Sequence, residues 1–97
     1  MKLHEISKML ETLKIEHNLD SLDIILINKV NNLHPDAFVM RVLKDFKLCS
    51  QATAHARIKR LVKQGVLTVE LDGSNMRTKR LVLTNKAEEV LYGSDSH

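Results

Sequence analysis

The sequence predicts a small, mainly α protein of the α+β class: four helices, a two-stranded hairpin and a short last helix. Three observations predict it. Apolar residues recur at 3–4 spacing through most of residues 3–63, the period of a half-buried helix. That period changes to 2 at residues 66–71, where Leu67, Val69 and Leu71 alternate with Val66, Thr68 and Glu70. Turn chemistry, Asp72-Gly73-Ser74-Asn75, then separates two apolar runs.

The first helix spans 3–17, with Leu3, Ile6, Leu10 and Leu13 on one stripe. Asn18 to Ser21 interrupts it, and Asp20 or Ser21 can cap the second helix. Leu22, Ile25, Leu26 and Val30, widened by Ile24 and Ile27, make that helix apolar enough to be central to the core. Asn31-Asn32-Leu33-His34-Pro35 reads as a turn. Pro35 presets a helical first position, so a third helix is expected over 36–46, with Phe38, Val39, Val42, Leu43 and Phe46 inward. Lys47, Leu48 and Cys49 lead to Ser50, an N-cap for a fourth helix over 51–64. Its core positions are Ala54, Ile58 and Leu61, and Gly65 ends it. Strands follow at 67–71 and 79–83. Thr84 then caps a last helix reaching about residue 91. Two helices on a short connection, followed directly by a basic hairpin, form a winged helix-turn-helix arrangement. Residues 1–92 make one domain, and 93–97 read as a flexible tail.

Composition limits the possible functions. Hydrophobic residues at 43% and charged residues at 28% fit a globular protein. No apolar run approaches the roughly 18–20 residues that span a bilayer, and a lone Cys49 suits a reducing, cytoplasmic setting. The charge is uneven. Residues 1–49 hold seven Lys/Arg and seven Asp/Glu, whereas residues 50–86 hold eight against two, a net +6. A cationic segment of this kind points to a polyanionic partner, because neutralising phosphates releases counterions. There is no Gly-rich phosphate loop, nucleophile elbow or carboxylate pair with a plausible pocket, so an enzyme is not expected and no cofactor is implied. The five histidines form no i, i+4 pair and have no cysteine partner, so no metal site is expected.

Segments 50–67 and 75–87 resemble the MarR family of winged-helix transcription factors. The string Ser50-Gln51-Ala52-Thr53-Ala54-His55-Ala56-Arg57-Ile58-Lys59-Arg60-Leu61-Val62-Lys63-Gln64-Gly65-Val66-Leu67 is similar to the capped recognition helix of that family. Asn75-Met76-Arg77 and Leu81-Val82-Leu83-Thr84-Asn85-Lys86-Ala87 are similar to its wing, with Asn75 and Ala87 where the family has Asp and Gly. The resemblance implies that Arg77 is the wing arginine that reaches the minor groove. It also implies a transcriptional regulator, most simply a repressor acting as a homodimer on a palindromic site. The family's further C-terminal helices lie beyond the end of this sequence, and aromatics number three, so a small-molecule effector is not expected.

A helical wheel assigns the interface residues. Opposite the core positions stand Ala52, Ala56, Lys59 and Lys63, with Thr53, His55 and Arg60 at the edges. Alanines near the N-terminal end admit close approach to base edges, and longer cations beyond them reach phosphates. Gln51, Thr53 and His55, beside Ala56, are the candidates for base contact; Lys59, Arg60 and Lys63 are the candidates for phosphate. Arg77 and Lys79 share one face of the wing, and Arg80 takes the other. Leu3, Ile6, Leu10 and Leu13 form a candidate dimer seam, or pack on the chain's own core. The alternative function is a protein-interaction adaptor, or a non-specific DNA-binding accessory protein of replication, plasmid or phage type.

Overall fold

A computed structural model describes residues 2–72 and 75–92, with backbone alone at 72, 75–78 and 92. It contains α1 (Leu3–His17), α2 (Ser21–Leu33), α3 (Val39–Asp45), α4 (Gln51–Lys63), β1 (Leu67–Asp72), β2 (Asn75–Leu83) and α5 (Asn85–Tyr92). β1 and β2 pair antiparallel, with Val69 opposite Leu81 and Glu70 opposite Arg80. Gly73, Ser74 and the expected 93–97 tail lie outside the described residues.

Local chemistry starts each of the main helices. Asp20 accepts the Asp23 N–H at 2.9 Å, while the Asp23 carboxylate accepts the Asp20 N–H at 3.2 Å. This reciprocal pair satisfies two backbone donors that the first turn of α2 would otherwise leave open. Ser50 does the same for α4 by accepting the Thr53 N–H at 3.1 Å. At the other end of α4, Gly65 adopts φ +80, and the Val66 N–H returns to the Leu61 carbonyl at 3.0 Å. That left-handed turn strains any residue bearing a Cβ, and glycine meets it freely.

α2 lies at the centre of the core. Leu26, Ile27 and Val30 are buried and pack with Leu61, Leu67, Leu81 and Ala87 of the helix-turn-helix and sheet. Ala54, Ile58 and Leu61 are buried as the wheel requires. Thr84 joins three elements: its hydroxyl donates to the Gly65 carbonyl at 2.5 Å and accepts the Ala87 N–H of α5 at 3.2 Å.

Two boundaries differ from the expectation. α3 begins at Val39, not residue 36, and Pro35 does not open it. The intervening residues turn and reach the sheet instead: the Ala37 carbonyl accepts the Leu81 N–H at 2.8 Å, and Phe38 bridges Arg80. Pairing with the free edge of β2 satisfies backbone groups that a helical turn would have used internally. Phe38 is therefore half-buried, its ring 5.2 Å from the Arg80 guanidinium carbon, a cation–π contact. β2 also starts four residues earlier than residue 79: the register shifts after the Leu71–Lys79 pair, and Asn75 stands opposite Asp72.

Candidate nucleic-acid interface

The outer face of α4 is open along its length. Gln51, Ala52, Thr53, His55, Ala56, Lys59 and Lys63 are all exposed, opposite the buried Ala54, Ile58 and Leu61. The two alanines leave a shallow stretch of backbone near the N-terminal end, and the two lysines follow one and two turns later. The Thr53 hydroxyl accepts from Ser50 at 3.0 Å and keeps its own proton to donate outward.

Lys79 is exposed on β2. Arg80, one residue on, is half-buried against Phe38, as alternation along a strand requires. The backbone of Arg77 lies within β2, and its side chain lies outside the described residues.

Arg60 departs from the expected assignment. Its Nη2 donates to both Asp23 oxygens at 2.5 Å, and its Nη1 donates to the Asn18 carbonyl at 3.1 Å. The guanidinium is committed to the junction of α1, α2 and α4 rather than offered to a phosphate. Arg57, one turn back, places Nη1 2.8 Å from both Asp20 oxygens and 3.0 Å from Asp23. Asp23 is 1% exposed, so its charge is taken out of water and must be matched inside the fold.

Burial alone would raise the Asp20 pKa, but the Arg57 hydrogen bond, the Asp23 backbone N–H and the Arg57 charge together lower it from 3.8 to about 2. The same hydrogen bonds to Asp20 and Asp23 raise the Arg57 pKa. Arg57 and Asp23 carry no part in the sequence-derived interface. The available signal was two pairs at i, i+3 of opposite sign, Asp20 with Asp23 and Arg57 with Arg60. Two of the eight cations in residues 50–86 are thereby neutralised internally. Lys59, Lys63 and Lys79 remain exposed.

The candidate dimer residues separate along α1. Leu3 is 81% exposed, Ile6 and Leu10 are half-buried, and Leu13 is 4% exposed in the chain's own core. Leu13 is therefore a core residue and not part of an open seam, because the end of α1 is where the helix rests on α2. An apolar cavity of about 230 Å³ lies beside it, lined by Met9, Leu13, Ile24, Ile25, Asn28 and Leu91. It is smaller than the roughly 300–1,000 Å³ of ordinary ligand pockets. Among the described residues no cluster of His, Cys, Asp or Glu could hold a metal ion, and no helix is long and apolar enough to cross a membrane.

No family profile matches this sequence, and no curated protein does. Solved structures do match the fold. A point mutant of S. aureus MepR, bound to an oligodeoxyribonucleotide, superposes with TM-score 0.76 at 14% identity, over 93% of this chain and 65% of that one. The transcriptional regulator BldR from Sulfolobus solfataricus gives 0.68 at 17% identity, over 96% and 66%. The transcriptional regulator Tm0710 from Thermotoga maritima gives 0.66 at 21% identity, over 94% and 66%. The chain spans just under two thirds of the length of each of these structures. Helix order, hairpin and superposition together show that this chain has the winged-helix fold of the MarR-like transcriptional regulators.

Proposed function

We propose that the chain is a sequence-specific DNA-binding regulator of transcription, acting as a homodimer on an inverted repeat and, in its simplest mode, repressing by occupying a promoter. One observation carries this reading. The outer face of α4 presents small residues, hydroxyl and amide groups at its first turns and lysines beyond, with no acidic residue anywhere on the helix. That order suits a helix whose first turns enter the major groove while its later cations meet the backbone. Gln51, Thr53 and His55 are assigned to bases, with Ala56 allowing close approach. Lys59, Lys63 and Lys79 are assigned to phosphates, and Arg77 to the minor groove. A similar fold solved with an oligodeoxyribonucleotide supports the choice of partner.

The test is a fluorescence titration of labelled duplex at several salt concentrations. Binding that weakens steeply with salt, with a slope reflecting several phosphates, supports DNA as the partner, and an affinity that differs between duplexes of different sequence supports specific recognition. Weak binding with a flat salt response contradicts it and favours a protein-interaction adaptor.

A further inference from the structure

Arg60 binds where α1, α2 and α4 converge. Its fork reaches Asp23, near the start of α2, and the carbonyl of Asn18, the residue that ends α1. Asn18 holds the left-handed conformation, φ 56, and its N–H returns to the Lys14 carbonyl at 3.1 Å. The root of α1 is thus capped, packed through Leu13 and Leu19, and tied to α4 by Arg60. Among the described residues, this is the hydrogen bond that links a side chain of α4 to the end of α1. The other end of α1 stands free, with Leu3 81% exposed.

A helix held at its root acts as a lever. Fifteen residues make α1 about 22 Å long at 1.5 Å per residue. A tilt of about 10° at the root moves the far end by about 4 Å, more than one base-pair step of about 3.4 Å. In a dimer joined through α1, the angle at this root therefore sets the separation of the two α4 helices. Half-sites are read at fixed separations, roughly 34–36 Å for one turn of duplex.

We propose that Arg60 is a positioning residue that fixes the angle between α1 and α4, and through it the half-site spacing the dimer accepts. The inference rests on the dimeric, DNA-binding reading above. Its chemistry requires arginine: a planar fork can serve both Asp23 oxygens and the Asn18 carbonyl together, and the single ammonium of lysine cannot keep that geometry.

The experiment selects bound duplexes from a pool of inverted repeats with variable spacers, using the full chain, R60Q and R60K. Thermal melting identifies a temperature at which all three are folded. Arg57 remains to hold Asp23 in both variants. The wild type is expected to enrich one spacing. R60Q and R60K are both expected to spread over neighbouring spacings, with about a tenfold fall in the ratio of specific to non-specific affinity. The salt slope on non-specific duplex should stay unchanged in R60Q. If R60Q keeps the wild-type spacing, the inference fails; a loss of about one unit of salt slope that R60K restores would then mark Arg60 as a phosphate contact. If the wild type enriches no repeat at all, the dimeric reading fails and this inference falls with it.

Discussion

Arg57 of α4 and Asp20, the cap of α2, meet through a single nitrogen: Arg57 Nη1 lies 2.8 Å from each carboxylate oxygen. The same carboxylate caps the Asp23 N–H, so one side chain both starts α2 and fastens α4 to it. Because the Asp20 pKa is lowered to about 2, its stabilisation is present above the unfolded value near 3.8 and is lost as pH falls from about 4 toward 2. Asp20 is about one third exposed, so after solvent screening the effect is on the order of 1 kcal/mol. D20N keeps a capping oxygen but removes the charge. Its melting temperature should lie below that of the wild type at pH 7 and approach it near pH 2. Parallel curves would mean that the pair contributes nothing.

Removing the Thr84 hydroxyl should loosen the joint between α4, the sheet and α5. T84A leaves the Gly65 carbonyl without this donor and the Ala87 N–H without its acceptor. A loss of about 1–2 kcal/mol is expected in urea unfolding. An unchanged midpoint would show that water replaces both bonds at no cost.

Lysines and arginines of α4 should respond differently to neutralisation. K59Q and K63Q each remove an exposed cation and should flatten the salt dependence of duplex binding by about 0.9 in log–log slope, with little change in stability. R57Q should instead cost about 2 kcal/mol of stability, because Asp20 loses its partner and Asp23 keeps only Arg60. Titrations and denaturation on the same three variants separate the two classes. A flattened slope in R57Q with full stability would reverse the assignment.

At the free end of α1, Leu3 is too exposed to serve the fold. L3D should shift sedimentation from dimer to monomer, leave the fold intact by circular dichroism, and lose the concentration dependence of the melting temperature. A dimer that persists in L3D would place the contact elsewhere.

Much of this fold was legible because its signals are local. Ser50 and Asp20 cap the helices that follow them, Gly65 turns the chain, and Ala54, Ile58 and Leu61 mark the buried side of α4. The start of α3 was not legible. Ala37 and Phe38 leave the helix to pair with β2, a contact more than forty residues away that no window around Pro35 contains. The exposed interface residues of α4 followed from the wheel, but the fate of Arg60 did not. On the wheel it is an edge cation beside Lys59 and Lys63. Only the partner, Asp23, 37 residues earlier on α2, turns it inward. Asp20 reads in sequence only as a cap, and nothing local ties it or Asp23 to Arg57 and Arg60 until the fold brings the two pairs together.

Sequence-specific recognition is tested by selecting bound duplexes from a fully random pool at about 150 mM salt, where non-specific electrostatic binding is already much weakened. An enriched inverted repeat is expected. Its conserved bases should be lost position by position when Gln51, Thr53 or His55 is replaced by alanine. Recovery of no motif by the wild-type chain would contradict sequence-specific recognition and leave the basic face to another partner.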